Sequence, residues 1–535
     1  MFLFAIVLVL LYFCLWIHPY SYWKSRGVEQ GHPWILFGDS WRMIFRVMNM
    51  ADIVAYHYNL IPEVRYYGIY QFLRPKLVVR DPDLIRKITV KDFDHFVDHV
   101  AVTDPKVDPI FAKNLVSLKG DEWRKMRASL TGLFTSSKMR AMFTLISEAA
   151  ENFVKHFQEQ DIGTVTDIEI KDAFTRYNKA LLIFIKNYVH FRFTIDVIAT
   201  MAFGVEVNSL AEPDNEFYKM GQEIADLRFT TFLKILLFQI SPKLFRVLKL
   251  KIFRKEVNTF FRNLVNNTIE TRQQKGIYRP DMLQILMDAR KGIEKDDDHA
   301  AEVGFAATEE FIENVKLSRE ISNEDITAQA LIFFFAGFDS VSSLMTFVAY
   351  ELALNNEVQS KLRKEVLSLQ GKSVSYEDIA NMKYMDMVIS EALRKWPPFV
   401  IIGRECTKTY TIYPKSPKER TLVVPKGMAI QIPSYAIHHD PKYYPQPEQF
   451  IPERFSSENR DKLVPYTFLA FGQGPRSCLG SRFALLEVKT VLFHLLSKFK
   501  LVVIEKTQVP LKLSKKFVIN IRPEAGLWLG IERVS

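Results

Sequence analysis

At 535 residues and 62.3 kDa, with 48% hydrophobic residues, the chain can bury a large core and is neither a disordered protein nor a small disulfide scaffold. Its 71 Lys and Arg against 61 Asp and Glu leave a net charge of +10, which suits anionic lipid, an acidic protein partner or nucleic acid and does not choose among them. Three cysteines, Cys14, Cys406 and Cys478, offer no framework spacing and leave one over, so a reducing, cytosol-facing compartment is expected.

The first element is an apolar run without a charged side chain, residues 1–17 (MFLFAIVLVLLYFCLWI). As a helix it spans roughly 25 Å at ~1.5 Å per residue, just enough to cross a bilayer. A cleaved signal would open on a basic stretch and end at small residues, so cleavage is not expected. Tyr20, Tyr22 and Trp23 are placed at the membrane interface, and Lys24 and Arg26 beyond them put the C-terminal bulk in the cytosol. The division is therefore an anchor and interface at 1–23, a linker at 24–40 and one large domain at 41–535. No solenoid repeat and no Gly/Ser- or Pro-rich linker splits that domain.

Strand-like runs come next at residues 69–81, 421–433 and 499–504, and helical periodicity at 139–158, 253–273, 326–353, 378–395 and 481–496. The fold class expected is mainly α with small β-sheets. Residues 294–302 read as a solvated acidic loop. Residues 230–253 mix large apolar side chains with Lys234, Lys243, Arg246, Lys249 and Lys251. That pattern is shared by an interfacial membrane helix and by a half-buried helix pair with snorkelling lysines.

The chemistry concentrates in FGQGPRSCLG, residues 471–480. Gly472, Gly474 and Gly480 permit turns and a close approach of backbone to a flat ligand. Loop N–H groups can hold a thiolate, Arg476 brings a cation beside Cys478, and a helix starts directly after it. The setting suits a thiolate that acts as a metal ligand. Zinc calls for several Cys or His ligands, and His438 and His439 precede a Pro-rich loop with no C-x-x-C partner; one soft thiolate suits haem iron.

The loop resembles the haem-binding loop of the cytochrome P450 superfamily, matching it at Phe471, Gly474, Arg476, Cys478 and Gly480, with Ala470 where the family carries proline. EALR supplies Glu391 and Arg394, and PERF supplies Arg454, similar to the family's buried Glu-Arg-Arg network. In AQALIFFFAGFDSVSSLM, Asp339 and Ser340 interrupt an apolar helix. The resemblance implies that Ala336 and Gly337 leave room for dioxygen while Asp339 and Ser340 relay protons, serine standing where most relatives have threonine. The alternative is a local kink in which Ser340 bonds a carbonyl one turn earlier. The resemblance also implies that Trp123 and Arg127 of WRKMR, Arg404 of GREC and Arg476 hold the haem propionates.

The phrases SLKGDEWRKMR, FTSSKMR and HHDPKYYPQPEQFIPERF are most similar to insect microsomal members associated with oxidation of xenobiotics and plant compounds. The resemblance thus implies a P450 fold and a monooxygenase on the cytosolic face of the endoplasmic reticulum membrane. Its implied partners are NADPH-cytochrome P450 reductase, cytochrome b5, the lipid bilayer and a lipophilic small molecule, with no nucleic acid. Arg124 and Lys125 are candidate docking charges, and Ile332, Phe333 and residues 97–116 and 397–402 are expected to line an apolar pocket. Two other functions remain open: a haem-thiolate isomerase or dehydratase that uses no dioxygen, and a catalytically impaired haem-binding isoform. Residues 178–193 stand between two halves of what resembles one continuous family helix. A gene-model artefact is preferred over a genuine extra element there, because an insertion inside a packed helix must bulge out or rotate the rest of that helix by about 100° per residue.

Overall fold

The computed structural model describes residues 20–159, 166–169, 194, 196–205, 215–225, 229–279, 281–290, 305–307, 321–516 and 520–534. The apolar run 1–17, the suspected insertion 178–193 and the acidic run 294–302 lie outside the described residues.

The main helices are α1 (Met50–Leu60), α2 (Gly120–Thr131), α3 (Ser136–Glu159), α4 (Phe229–Ile240), α5 (Pro242–Val247), α6 (Lys255–Lys275), α7 (Asn323–Leu354), α8 (Lys383–Lys395) and α9 (Ser481–Lys498). The strands are β1 (Tyr66–Gln71), β2 (Arg74–Val79), β3 (Thr166–Glu169), β4 (Ile402–Glu405), β5 (Tyr410–Ile412), β6 (Leu422–Val424), β7 (Ala429–Ile432), β8 (Phe499–Val502) and β9 (Trp528–Arg533). They form three small sheets ordered β1-β2-β7-β4, β3-β9-β8 and β5-β6. In the first, β2 pairs antiparallel with β1 and parallel with β7.

Helix α7 organises the core. A capping box starts it: Ser322 Oγ accepts from the Asp325 amide, and the Asp325 carboxylate accepts from the Ser322 amide at 3.0 Å. It is long and apolar enough to cross a membrane, yet 67% of its most apolar window is buried among α6, α8 and α9. A helix apolar nearly all round and enclosed by others is a core helix.

Three expectations change. Residues 69–81 are a hairpin, because Phe72 adopts a left-handed backbone (φ 55°) and turns β1 back onto β2. Residues 421–433 divide at the turn holding Gly427 (φ 88°), sending β6 to β5 and β7 to β2. Within residues 20–40, Tyr20, Trp23, Val28 and Asp39 are buried against the domain while residues 34–36 are exposed. Trp23 is 1% exposed, its Nε1 donates to the Ile69 carbonyl at 3.3 Å, and a Cβ at residue 68 would overlap its ring, which is why glycine stands there. Tyr20 is buried too and donates to the Trp34 carbonyl at 3.0 Å. These two aromatic residues, expected at a membrane interface, belong to the core over the β1–β2 hairpin.

The Glu-Arg-Arg network is present. Glu391 accepts from Arg394 at 2.8 and 2.9 Å and from Arg454 at 3.3 Å, and Arg394 also donates to the His438 and Pro447 carbonyls. Both partners on α8 are fully buried, so the network ties that helix to the segment leading into the cysteine loop.

Candidate functional site

The loop at residues 471–478 is closed by its own backbone. The Cys478 amide donates to the Phe471 carbonyl and the Ser477 amide to the Gly474 carbonyl, each at 2.8 Å. Gly472 and Gly474 take φ of 75° and 73°, and a side chain at 474 would collide with the Thr89 carbonyl, so glycine is required there for two reasons. The loop presents Cys478 to a cavity of about 240 Å³ and passes through Gly480 into α9. Burial pushes the Cys478 thiol up, while the Gly480 amide and Arg127 favour its ionised form. The Cys478 side chain is open to the cavity, and a metal cation bound there would favour its ionised form further. Among the described residues no group of three or more His, Cys, Asp or Glu side chains could hold a metal.

Ala336, Gly337 and Ser340 of α7 line the same cavity, with Ile332, Phe333, Leu115, Val116 and Phe399 adding apolar wall. Ser340 Oγ donates to the Ala336 carbonyl at 2.6 Å, the back-bonded arrangement that was the alternative to a relay. Gly337 leaves no room for a side chain: a Cβ there would come within 2.5 Å of Ile198 Cδ1, which lines the same cavity. Asp339 does not join Ser340. Its two carboxylate oxygens accept from Arg522 and Asn520, each at 2.6 Å, and it is not part of the cavity wall. The step of about 100° per residue along the helix turns Asp339 to the side where Arg522 and Asn520 hold it.

One end of the cavity is cationic. Trp123 and Arg127 share a face of α2 and both line it. Arg127 donates to the Ser477 carbonyl at 3.0 Å; Arg476 stacks 4.0 Å over Trp123 and donates to the carbonyls of Val97, Leu115 and Leu118. Arg404 adjoins this end rather than lining it, with Nη1 3.4 Å from His99 Nδ1 and with Nε and Nη2 buried and without a hydrogen-bond partner among the described residues. Burial lowers Arg404 to about 10, and burial with Arg404 beside it lowers Arg476 to about 8, against which Asp98 acts from 3.7 Å. His99, which no sequence motif singles out, lines the cavity; burial and the Arg404 and Arg476 charges hold its imidazole well below the usual range. So much buried positive charge against so little carboxylate calls for an anion. The two propionates of haem fit that demand, as the thiol fits its iron.

Of the candidate docking charges, Arg124 is already paired with Asp94 at 2.6 Å, and Lys125 is half-buried.

A lone thiol facing a largely apolar cavity, with guanidinium groups at one end, is what a haem-thiolate protein requires. The family model described as Cytochrome P450 matches residues 63–528. The chain is 39% identical to "Cytochrome P450 9e2" of Blattella germanica, over 98% of this chain and 96% of the relative. It is 37% identical to "Probable cytochrome P450 9f2" of Drosophila melanogaster, over 99% and 98% of the two chains. It is also 37% identical to "Probable cytochrome P450 6a13" of the same organism, over 98% and 97%. The chain belongs to the cytochrome P450 family, and with it come haem with a cysteine thiolate as axial ligand, monooxygenase-type oxidoreductase function and the use of a redox partner.

Proposed function

We propose that the protein is a microsomal monooxygenase that inserts one oxygen atom from dioxygen into a lipophilic small molecule, a xenobiotic, plant compound or endogenous lipid. The observation that carries this reading is the placement of Cys478 and of Ala336 and Ser340 around one cavity whose remaining wall is largely apolar. Bound haem supplies the activation of dioxygen, favoured by its thiolate ligand. Cys478 is the ligand, and Arg127, Arg404 and Arg476 with His99 hold the propionate edge. Phe471 and Gly480 would lie against bound haem, Ala336 would leave room for dioxygen, and the Ser340 hydroxyl, which rests on the Ala336 carbonyl, would turn to pass a proton there. Asp339 acts from behind α7, through its link to Arg522 and Asn520. Phe333, Leu115 and Phe399 exclude water and select for apolar substrates.

Electrons come from NADPH through a flavoprotein reductase, with cytochrome b5 as a second donor and Lys125 among the docking charges. Residues 1–17 anchor the protein in the endoplasmic reticulum membrane with the domain on the cytosolic side. A second contact is offered by α4 and α5, where Leu233, Ile240, Leu244, Val247 and Leu248 are exposed, Val247 at 76%. One observation favours a second reading, a dioxygen-independent isomerase or dehydratase: Asp339 is engaged away from the cavity. Reconstitution with reductase decides between them. Turnover that requires NADPH supports the monooxygenase, and turnover without NADPH supports the isomerase.

A further inference from the structure

A second cavity, of about 150 Å³, shares no lining residue with the one faced by Cys478. Its floor is one face of the β1–β2 hairpin, where Tyr67 pairs with Val78 and Ile69 with Lys76, so all four side chains share that face. Ile53 and Val54 of α1 form a wall, and Ile235 and Leu236 of α4 the cover. An apolar space of this size takes up a benzene ring in an engineered protein core.

The polar groups at this cavity are unevenly matched. Asp39 and His57 are nearly fully buried and face each other, Oδ1 to Nε2, at 3.5 Å; the other Asp39 oxygen accepts from the Tyr70 amide at 2.8 Å. Lys76 has no hydrogen bond or ion pair among the described residues, and the charge that acts on it is Arg74, of the same sign. Lys76 is half-buried at the cavity wall, and burial first, with Arg74 second, lowers its ammonium to about 8.

We propose that this cavity is a second ligand site, separate from the haem pocket, for a carboxylic acid with a short apolar or aryl body, the carboxylate pairing with Lys76 and the body lying between Ile53, Val54, Ile69 and Ile235. The site goes beyond the monooxygenase reading and does not depend on turnover.

The test is calorimetric titration of 4-phenylbutyrate into the full-length holoprotein, with an azole on the haem iron to close the other pocket. 4-Phenylbutanol serves as the uncharged comparison. The azole's absorption shift reports the haem site separately. The expected result is that 4-phenylbutyrate binds with the haem pocket closed. Lys76→Gln weakens the acid about tenfold or more and leaves the alcohol unchanged, while Ile235→Trp, which fills the cavity, weakens both. Equal affinity of the acid for K76Q, an equal fall for the alcohol, or loss of binding whenever the azole is present would overturn the proposal.

Discussion

Cys478 and Cys406 separate two fates of a thiol. Cys406 is fully enclosed, its sulfur directed at the Lys408 carbonyl at 3.0 Å, and burial pushes it up to about 11. Cys478→Ala is expected to abolish the red-shifted carbon monoxide spectrum of the reduced protein, and Cys406→Ala to leave it intact; a spectrum that survives the first change and disappears with the second would reverse the assignment. Two further substitutions dissect proton handling. Ser340→Ala removes the hydroxyl at the cavity wall and is expected to retain haem and substrate binding while releasing more hydrogen peroxide per NADPH. Arg522→Ala frees one oxygen of Asp339, which is otherwise held by a buried charge pair, and is expected to change the coupling ratio without changing the spectrum. Unaltered coupling in both variants would remove α7 from proton delivery.

At the scale of elements, the Glu391 network holds α8 against the segment before the cysteine loop. Glu391→Ala leaves Arg394 and Arg454 facing each other in a buried site, a loss of about 3–5 kcal/mol. Thermal unfolding should show a lower Tm together with weaker haem retention, and a variant with the parent's Tm would contradict the structural role. Much of this is legible in the sequence: the long helices α3, α6, α7 and α9 carry enough turns for periodicity to outweigh local noise, and the cysteine loop is contiguous. The illegible features join distant positions. Asp339 meets Arg522 183 residues away, and nothing in FAGFDS tells which of two neighbours faces the cavity. His99 lies in a loop without periodicity, whereas Arg404 is legible through GREC and the structure adds that its Nε and Nη2 have no hydrogen-bond partner among the described residues. The β1–β2 turn lacks the usual Gly or Asn signal, since Phe72 itself takes the left-handed backbone. Trp23 reads as an interfacial residue because its burial partner, the open face at Gly68, is 45 residues on in the numbering.

For the whole molecule, attachment and assembly are separable from chemistry. Removing residues 1–17 is expected to weaken sedimentation with membranes without abolishing it, because the apolar faces of α4 and α5 remain; complete solubility would remove them as a second contact. The chain without residues 178–193 is proposed to incorporate more haem per protein than the full chain, and equal or better incorporation by the full chain would make that segment a working element. The central claim is oxygen insertion by a haem-thiolate site fed with electrons from outside. Its most direct measurement is isotopic: the full-length holoprotein, a flavoprotein reductase and NADPH are incubated with a lipophilic substrate under ¹⁸O-labelled dioxygen, and the product is weighed by mass spectrometry. The account predicts a product that carries one labelled oxygen atom and forms only when NADPH is present; a product formed without NADPH, or with its oxygen drawn from water, would contradict it.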